Sequence, residues 1–243
     1  MLGMNDVTQQ QSTRCDACTV RHRAVCGALS QKEIERLNAI ARHRTVPQGQ
    51  AIVGDQDRVL SFANIISGVV KLTKTLCDGR QQIVGLQFAS DFIGRPFRDR
   101  SAYEATAVND VHLCIYDRRQ FEHLVREFPG FERRLFENTL DELDAARDWM
   151  LLLGRKSAEE KVASFILMVS KKMDGVSRQG GDGRPAKFEL PITRTEIADF
   201  LGLTIETVSR QVSRLKSEKI IALEGLRTVA VLDVPRLEQA SSG

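Results

Sequence analysis

The spacing of apolar positions changes along the chain and divides it into stretches of different period. In LSQKEIERLNAIARHRTV, Leu29, Ile34, Leu37 and Ile40 fall at helical intervals, with Ser30 placed as an N-cap. From about Thr45 to Tyr116 the pattern shortens to β-branched runs bounded by glycine: AIVGDQD, FANIISGVVKLTKTL, IVGLQF, DFIG and VHLCIYD. Asp78-Gly79 reads as a hairpin turn, because glycine readily takes the positive φ that such turns need. Short strands separated by turns predict an antiparallel roll or barrel.

Helical spacing returns at RRQFEHLVREFPGFERRLFENTLDELDAARDWMLLLG. There Phe136, Thr139, Leu143, Ala146, Met150 and Leu153 alternate intervals of three and four, the heptad seam of a helix that pairs with a second copy of itself. Pro129 and Gly130 break the pattern ahead of the seam, and Gly154 is expected to close it. A helix lying on its own domain would carry such a stripe equally well. Both can hold, since Leu140, Leu151 and Leu152 lie off the seam and are free to pack on the roll. A second amphipathic helix, AEEKVASFILMVSKKM, precedes a loop, DGVSRQGGDGRPAK, that has charge and glycine but no apolar anchor.

The last stretch, LPITRTEIADFLGLTIETVSRQVSRLKSEKIIALEGLRTVAVLDV, carries the most specific pattern. Thr193 and Glu196 form a capping box, Ile197, Ala198 and Leu201 an apolar face, and Gly202 the left-handed stop. Thr204 then caps a second helix through Leu215, with Val208, Val212 and Leu215 inward. Two short helices joined by a tight glycine turn are a helix-turn-helix, and IIALEG with TVAVLDV reads as a two-stranded wing. The outward residues Glu206, Thr207, Ser209, Arg210 and Ser213 are then placed to enter the major groove of double-stranded DNA. Arginine pairs bidentately with guanine and a carboxylate accepts from cytosine N4, while Arg227 on the wing is a candidate phosphate contact. A packing module in which Glu206 and Arg210 form a surface ion pair is the bland alternative. Ser213 to Lys216 spells S-x-x-K, but without the other elements of a serine acyl enzyme it is coincidence, and no catalytic constellation suggests an enzyme.

Composition adds bounds. The 243 residues, 42% hydrophobic and 28% charged, suit two modest domains. The formal charge of +3 is concentrated: residues 155–243 hold 15 basic and 12 acidic residues, and the rest hold 20 of each. No apolar run is long enough for a membrane span. The polar start MLGMNDVTQQQSTR lacks the core of a secretory signal, which places the chain in the cytoplasm, where thiols stay reduced.

That compartment sharpens the reading of CDACTVRHRAVC, in which Cys15, Cys18 and Cys26 sit at C-x2-C-x7-C spacing. Thiolates bind soft metals, and two intervening residues let both sulfurs face one ion or cluster. A fourth thiolate must come from the roll, either Cys114 in VHLCIY or Cys77 in LCDGR. Zinc, with His22 as a mixed ligand, competes evenly with iron–sulfur on these grounds, and Cys77 best fits an unligated buried cysteine.

The order of roll, long helix and winged helix-turn-helix resembles the CRP/FNR superfamily of bacterial transcription regulators over nearly the whole chain. LGLTIETVSRQ resembles the FNR recognition segment, WMLLLGRKSAEEKVASFI its junction ahead of the DNA-binding domain, and the spaced thiols its oxygen-responsive branch. The resemblance implies an α+β fold. Its parts would be a cysteine-rich segment (1–29), a cyclic-nucleotide-binding-like β-roll (jelly-roll) over 30–130, a dimerisation helix (131–155) and a winged helix-turn-helix (156–243). It further implies a [4Fe-4S] cluster on Cys15, Cys18, Cys26 and Cys114, with Cys114 chosen over Cys77 by its strand context. An intact cluster would favour a homodimer whose Glu206, Ser209 and Arg210 read an inverted TTGAT-type repeat and which works with RNA polymerase on anaerobic or microaerobic genes. A zinc-structural or thiol-redox regulator of the same family is the alternative. Arg100-Ser101-Ala102 superficially matches the family's nucleotide-phosphate cassette. Arg95 stands where a ribose-gripping glutamate belongs and the loop, holding Pro96, is short, so no cyclic nucleotide is expected.

Overall fold

The computed structural model describes residue 15 and residues 17–177, 187–225 and 227–242. The polar N-terminal stretch and most of the glycine-rich loop lie outside the described residues. The chain divides into two compact units, Met1–Lys74 with Gly85–Leu143, and Thr75–Val84 with Asp144–Gly243.

The first unit opens with a 3-10 turn, Val25–Ala28, and helix α1, Gln31–Ile40. Ser30 caps α1 through Glu33, whose carboxylate accepts from the Ser30 amide and hydroxyl. Eight strands follow: β1 (Ala41–Val46), β2 (Ala51–Val53), β3 (Ser61–Ser67), β4 (Val70–Thr75), β5 (Gln81–Gln87), β6 (Phe92–Ile93), β7 (Glu104–Ala107) and β8 (Val111–Asp117). They form two antiparallel four-stranded sheets, ordered β1-β8-β3-β6 and β2-β7-β4-β5, which is the expected roll. Gly79 turns the β4–β5 hairpin at φ +87°.

Period-two alternation on β8 feeds two cores. Val111 and Leu113 join Val46, Ile65, Val70 and Ala105 between the sheets. Cys114 and Tyr116 face the other way, into a cluster with Phe62, Phe92, Phe121 and Phe131. Helix α2, Arg118–Glu127, supplies Phe121, whose ring lies 5.2–5.4 Å from those of Phe62, Phe92, Tyr116 and Phe131.

Helix α3 runs Pro129–Arg155. Pro129 is its first residue, not a break, because its fixed φ and missing N–H suit the first turn. Gly154 is helical, so the helix stops one residue later than expected. Of the residues off the seam, Leu152 is buried, but Leu140 and Leu151 are exposed. On the seam Phe136, Thr139, Leu143, Ala146 and Met150 are also exposed, Phe136 at 63% and Met150 at 72%, and Leu153 is half-buried.

In the second unit α4 (Ala158–Ser177) precedes β9 (Lys187–Glu189), α5 (Arg194–Leu201), α6 (Ile205–Ser217), β10 (Ile221–Glu224), β11 (Thr228–Val231) and α7 (Val234–Ser242). The wing has three strands, ordered β10-β11-β9, not two. The short KFE run that supplies the third was too brief to register as a strand on its own; pairing with β11 makes it one. None of the described helices is long and apolar enough to cross a membrane.

Candidate functional site

Two arrangements carry chemistry. The first is a small cavity, about 20 Å³, on the face of the roll opposite its intersheet core. Strand β8 holds Cys114 between His43 of β1 and Asn64 of β3 in register. The turn-rich segment before α1 brings Cys15, Cys18 and Cys26 to the same cavity, whose wall is completed by Ile34 and Leu37 of α1 and by Tyr116. The four thiols named from the sequence are therefore together, and Cys77 is elsewhere and exposed. Its placement before a turn accounts for that exposure, which overturns the expectation of a buried cysteine there.

Cys26 and Cys114 are each 7% exposed. Burial, then the neighbouring Cys18, Cys114 and Cys15, pushes the Cys26 thiol up to about 12. Burial likewise raises Cys114 to about 11, against the lowering effect of its hydrogen bond with Tyr116, with Cys15 and Cys18 adding to the rise. The Cys15 thiol donates to Asn38 Oδ1 at 3.1 Å, and Asn64 Nδ2 donates to the Tyr116 hydroxyl at 3.1 Å and approaches Cys26 Sγ at 4.0 Å. Asn64 Oδ1 is shut from solvent and has no hydrogen-bond partner among the described residues. Neutral thiols suit this pocket only while nothing positive sits among them; iron would invert that preference and hold them as thiolates. Among the described residues no group of three or more His, Cys, Asp or Glu is arranged to hold one metal ion. In kind, four thiols on one cavity are the donor set of a four-thiolate cluster, so the residues fit that group. Asn38 and Asn64 were missed in the sequence, where neither has a distinguishing neighbour.

The second arrangement is α6. Thr193 accepts from the Glu196 amide and the Glu196 carboxylate returns the bond to the Thr193 amide, closing the capping box of α5. Gly202 ends α5 at φ +62°, and the Thr204 hydroxyl accepts from the Thr207 amide to start α6. With Val208, Val212 and Leu215 buried, Glu206, Ser209, Arg210 and Ser213 are exposed and Thr207 is half-buried. The Glu206 carboxyl is held low by its own amide and the Thr204 hydroxyl. Among the described residues Arg210 has neither an ion pair nor a hydrogen bond, so its guanidinium is available, and the alternative Glu206–Arg210 pair is not formed. Ser213 donates to the Ser209 carbonyl, as a helical serine rather than a nucleophile.

Arg227 departs from expectation. Its guanidinium donates to the carbonyls of Leu190 and Pro191, at 3.1 Å and 2.7 Å, and pairs with Glu189 at 3.5 Å. It braces the wing from within because the third strand places those carbonyls beside it. The roll also encloses a cavity of about 400 Å³ lined by Arg44, Arg58, Arg95, Ser101 and Tyr103, where the Ser101 hydroxyl donates to the Tyr103 carbonyl at 2.6 Å.

Residues 160–240 match the Crp-like helix-turn-helix domain, and residues 43–128 the cyclic nucleotide-binding domain. The chain is 47% identical to the "Transcriptional activator protein FnrL" of Cereibacter sphaeroides, over 92% of this chain and 90% of that one. It is 44% identical to a "Probable transcriptional activator" of Rhizobium leguminosarum bv. viciae, over 94% and 93%. The solved structure of FixK2 from Bradyrhizobium japonicum superposes with a TM-score of 0.75 at 30% identity, covering 84% of this chain and 98% of that one.

Proposed function

The chain belongs to the CRP/FNR family of DNA-binding transcription regulators, and from that premise we propose that it is an oxygen-responsive activator gated by a [4Fe-4S] cluster. The observation that carries the proposal is the meeting of Cys15, Cys18 and Cys26 with the far-downstream Cys114 on one cavity. Those four would hold the cluster, which when bound supplies a prosthetic group that oxygen degrades. Asn38 and Asn64 would orient the sulfurs and Tyr116 would exclude water behind Cys114.

In this reading residues 1–29 bind the cluster, 30–130 form the sensor roll, 131–155 the dimerisation helix and 156–243 the DNA-binding domain. Phe136, Thr139, Leu143, Ala146, Met150 and Leu153 meet their counterparts in a second copy when the cluster is intact. Their exposure in the single chain supports this, for a stripe with Phe136 and Met150 bare gains most from a partner. Weak seam residues, Thr139 and Ala146, keep the dimer near its switching point. Two copies of α6 then address half-sites about one DNA turn apart. There Glu206, Ser209 and Arg210 read the bases of an inverted TTGAT-type repeat, flanked by Thr207 and Ser213, and the complex recruits RNA polymerase. Cyclic nucleotide has no part in it: Arg95 offers no ribose acceptor and the Ser101 hydroxyl is engaged by Tyr103.

The test is purification without oxygen, followed by the visible spectrum, iron and acid-labile sulfide, and dimer content before and after air. A brown protein that bleaches and falls to monomer supports the reading. A colourless zinc protein indifferent to air, or a metal-free one answering only to reductant, replaces the cluster with the corresponding alternative. Equal dimer content before and after air overturns the gating step.

A further inference from the structure

We propose that the cleft between the N-terminal end of α5, the reading helix α6 and strand β10 is a ligand site for a small amphipathic carboxylate, whose occupation competes with DNA; the inference rests on the assignment of α6 as the reading helix. The cleft has a volume of about 470 Å³ and is made entirely within the second unit. That volume lies in the range of small-molecule sites. Leu190, Ile192 and Val212, all buried, and the half-buried Leu223 give it apolar walls. Ser209 and Ser213, both exposed, line it from α6.

The charge in this cleft is of one sign. Arg194 and Arg227 line it, and among the described residues no carboxylate does. Arg227 is committed to the carbonyls of Leu190 and Pro191. Arg194 is not: among the described residues it makes neither a hydrogen bond nor an ion pair, and its Nη1 is shut from solvent without a partner. Glu196, two residues on in the same turn, accepts instead from the Thr193 amide and hydroxyl. Helix stability does not account for this arginine, since a cation in a first turn faces the positive end of the helix dipole. Burial, with no counter-charge to offset it, lowers its pKa. A half-buried guanidinium that makes no bond gives up none by turning onto an incoming carboxylate, and it gains the partner that Nη1 lacks. The walls set the rest of the occupant, an apolar body that covers Leu190, Ile192, Val212 and Leu223. A phosphate, free or on a DNA backbone, would use Arg194 but leave those walls bare. Whatever fills the cleft stands against Ser209 and Ser213, two of the side chains proposed to meet DNA, so occupant and operator exclude each other.

The experiment uses the full-length protein with two probes, octanoate and phenylacetate, and with octanamide and inorganic phosphate as controls. It reads direct binding by calorimetry and operator binding by fluorescence anisotropy, for wild type, Arg194→Gln and Leu223→Phe, the last of which narrows the cleft without changing its charge. At least one carboxylate is expected to bind the wild type and, at saturation, to lower its operator affinity by about tenfold or more. Both controls should bind more weakly, and both variants should lose the carboxylate by about tenfold or more while still melting cooperatively. Failure of both carboxylates to bind the wild type overturns the proposal. So does binding that both variants leave unchanged, which places the probe elsewhere. Phosphate binding as tightly as the carboxylates, with operator affinity falling across all sequences in Arg194→Gln alone, also overturns it and makes Arg194 a backbone-phosphate contact. A wild type that binds no operator is a different outcome: it removes the reading-helix assignment, while calorimetry still decides the cleft.

Discussion

The thiol cavity and the reading helix are built on opposite plans. The reading helix and the helix before it lie within Thr193–Ser217, their caps are made between near neighbours, and the side chains proposed to contact DNA are those left over once Val208, Val212 and Leu215 have been buried. The thiol cavity is assembled from a turn-rich segment, a helix and three strands, and of the four thiols that line it Cys26 and Cys114 are buried and Cys15 and Cys18 half-buried. A site made by local rules works by what it exposes. A site made by tertiary packing works by what it excludes, here water, at the cost of holding thiols that resist ionisation.

The sharpest way to break this contrast is to remove one sulfur. Cys26→Ala or Cys114→Ala is expected to abolish bound iron and sulfide outright, since the proposed cluster would be short of one buried thiolate and no further cysteine among the described residues lines the cavity, whereas Cys77→Ala keeps both. Iron per protein after anaerobic purification is the measurement. Iron retained at the wild-type level by Cys114→Ala would mean the cavity is only a packing feature.

A smaller effect separates packing from ligation within the same unit. Phe121 lies at the centre of the ring cluster that backs the cavity and is fully buried. Phe121→Ala should cost about 3–5 kcal/mol of folding stability, seen as a lower denaturant midpoint. Below that midpoint the cluster should still load, because no sulfur has been removed.

On the reading helix the effect is smaller again and of another kind. On the proposed base contact, Arg210→Ala should cost about 1–3 kcal/mol of DNA affinity at the one G·C pair it would read, and leave other sequences bound as before. Competition binding with single-base operator variants checks it. Uniform weakening across all sequences would make Arg210 a phosphate contact instead.

How much of each region was legible follows from the same difference. The capping box, the glycine stop at Gly202 and the inward triad of α6 are relations between residues a few positions apart, and all were readable. The roll was readable as a class from its alternation, and its second core was not, because which face of β8 a helix will cover depends on α1 and α2. Cys114 was singled out by resemblance to a family; spacing alone left Cys77 in contention until packing placed it on the surface. Arg227 shows the limit most plainly. In the sequence it is a free cation on a wing, and only the third strand, KFE, reveals the carbonyls that occupy it.

The smallest effect tests whether the two regions are independent. Thr193 caps α5 with a hydroxyl that accepts from the Glu196 amide at 3.3 Å, while Glu196 answers through the Thr193 amide at 2.9 Å. Thr193→Ala removes one half of that exchange and should cost about 1 kcal/mol; Thr193→Ser, which keeps the oxygen, should cost little of it. The loss should appear as a lower melting temperature and weaker DNA binding, because α5 positions α6 through Gly202. Iron content should not change, since the substitution removes no thiol from the cavity. A Thr193→Ala protein that also loses its cluster would show that the locally built site and the assembled one share a cooperative unit, and the contrast between them would then describe their construction but not their behaviour.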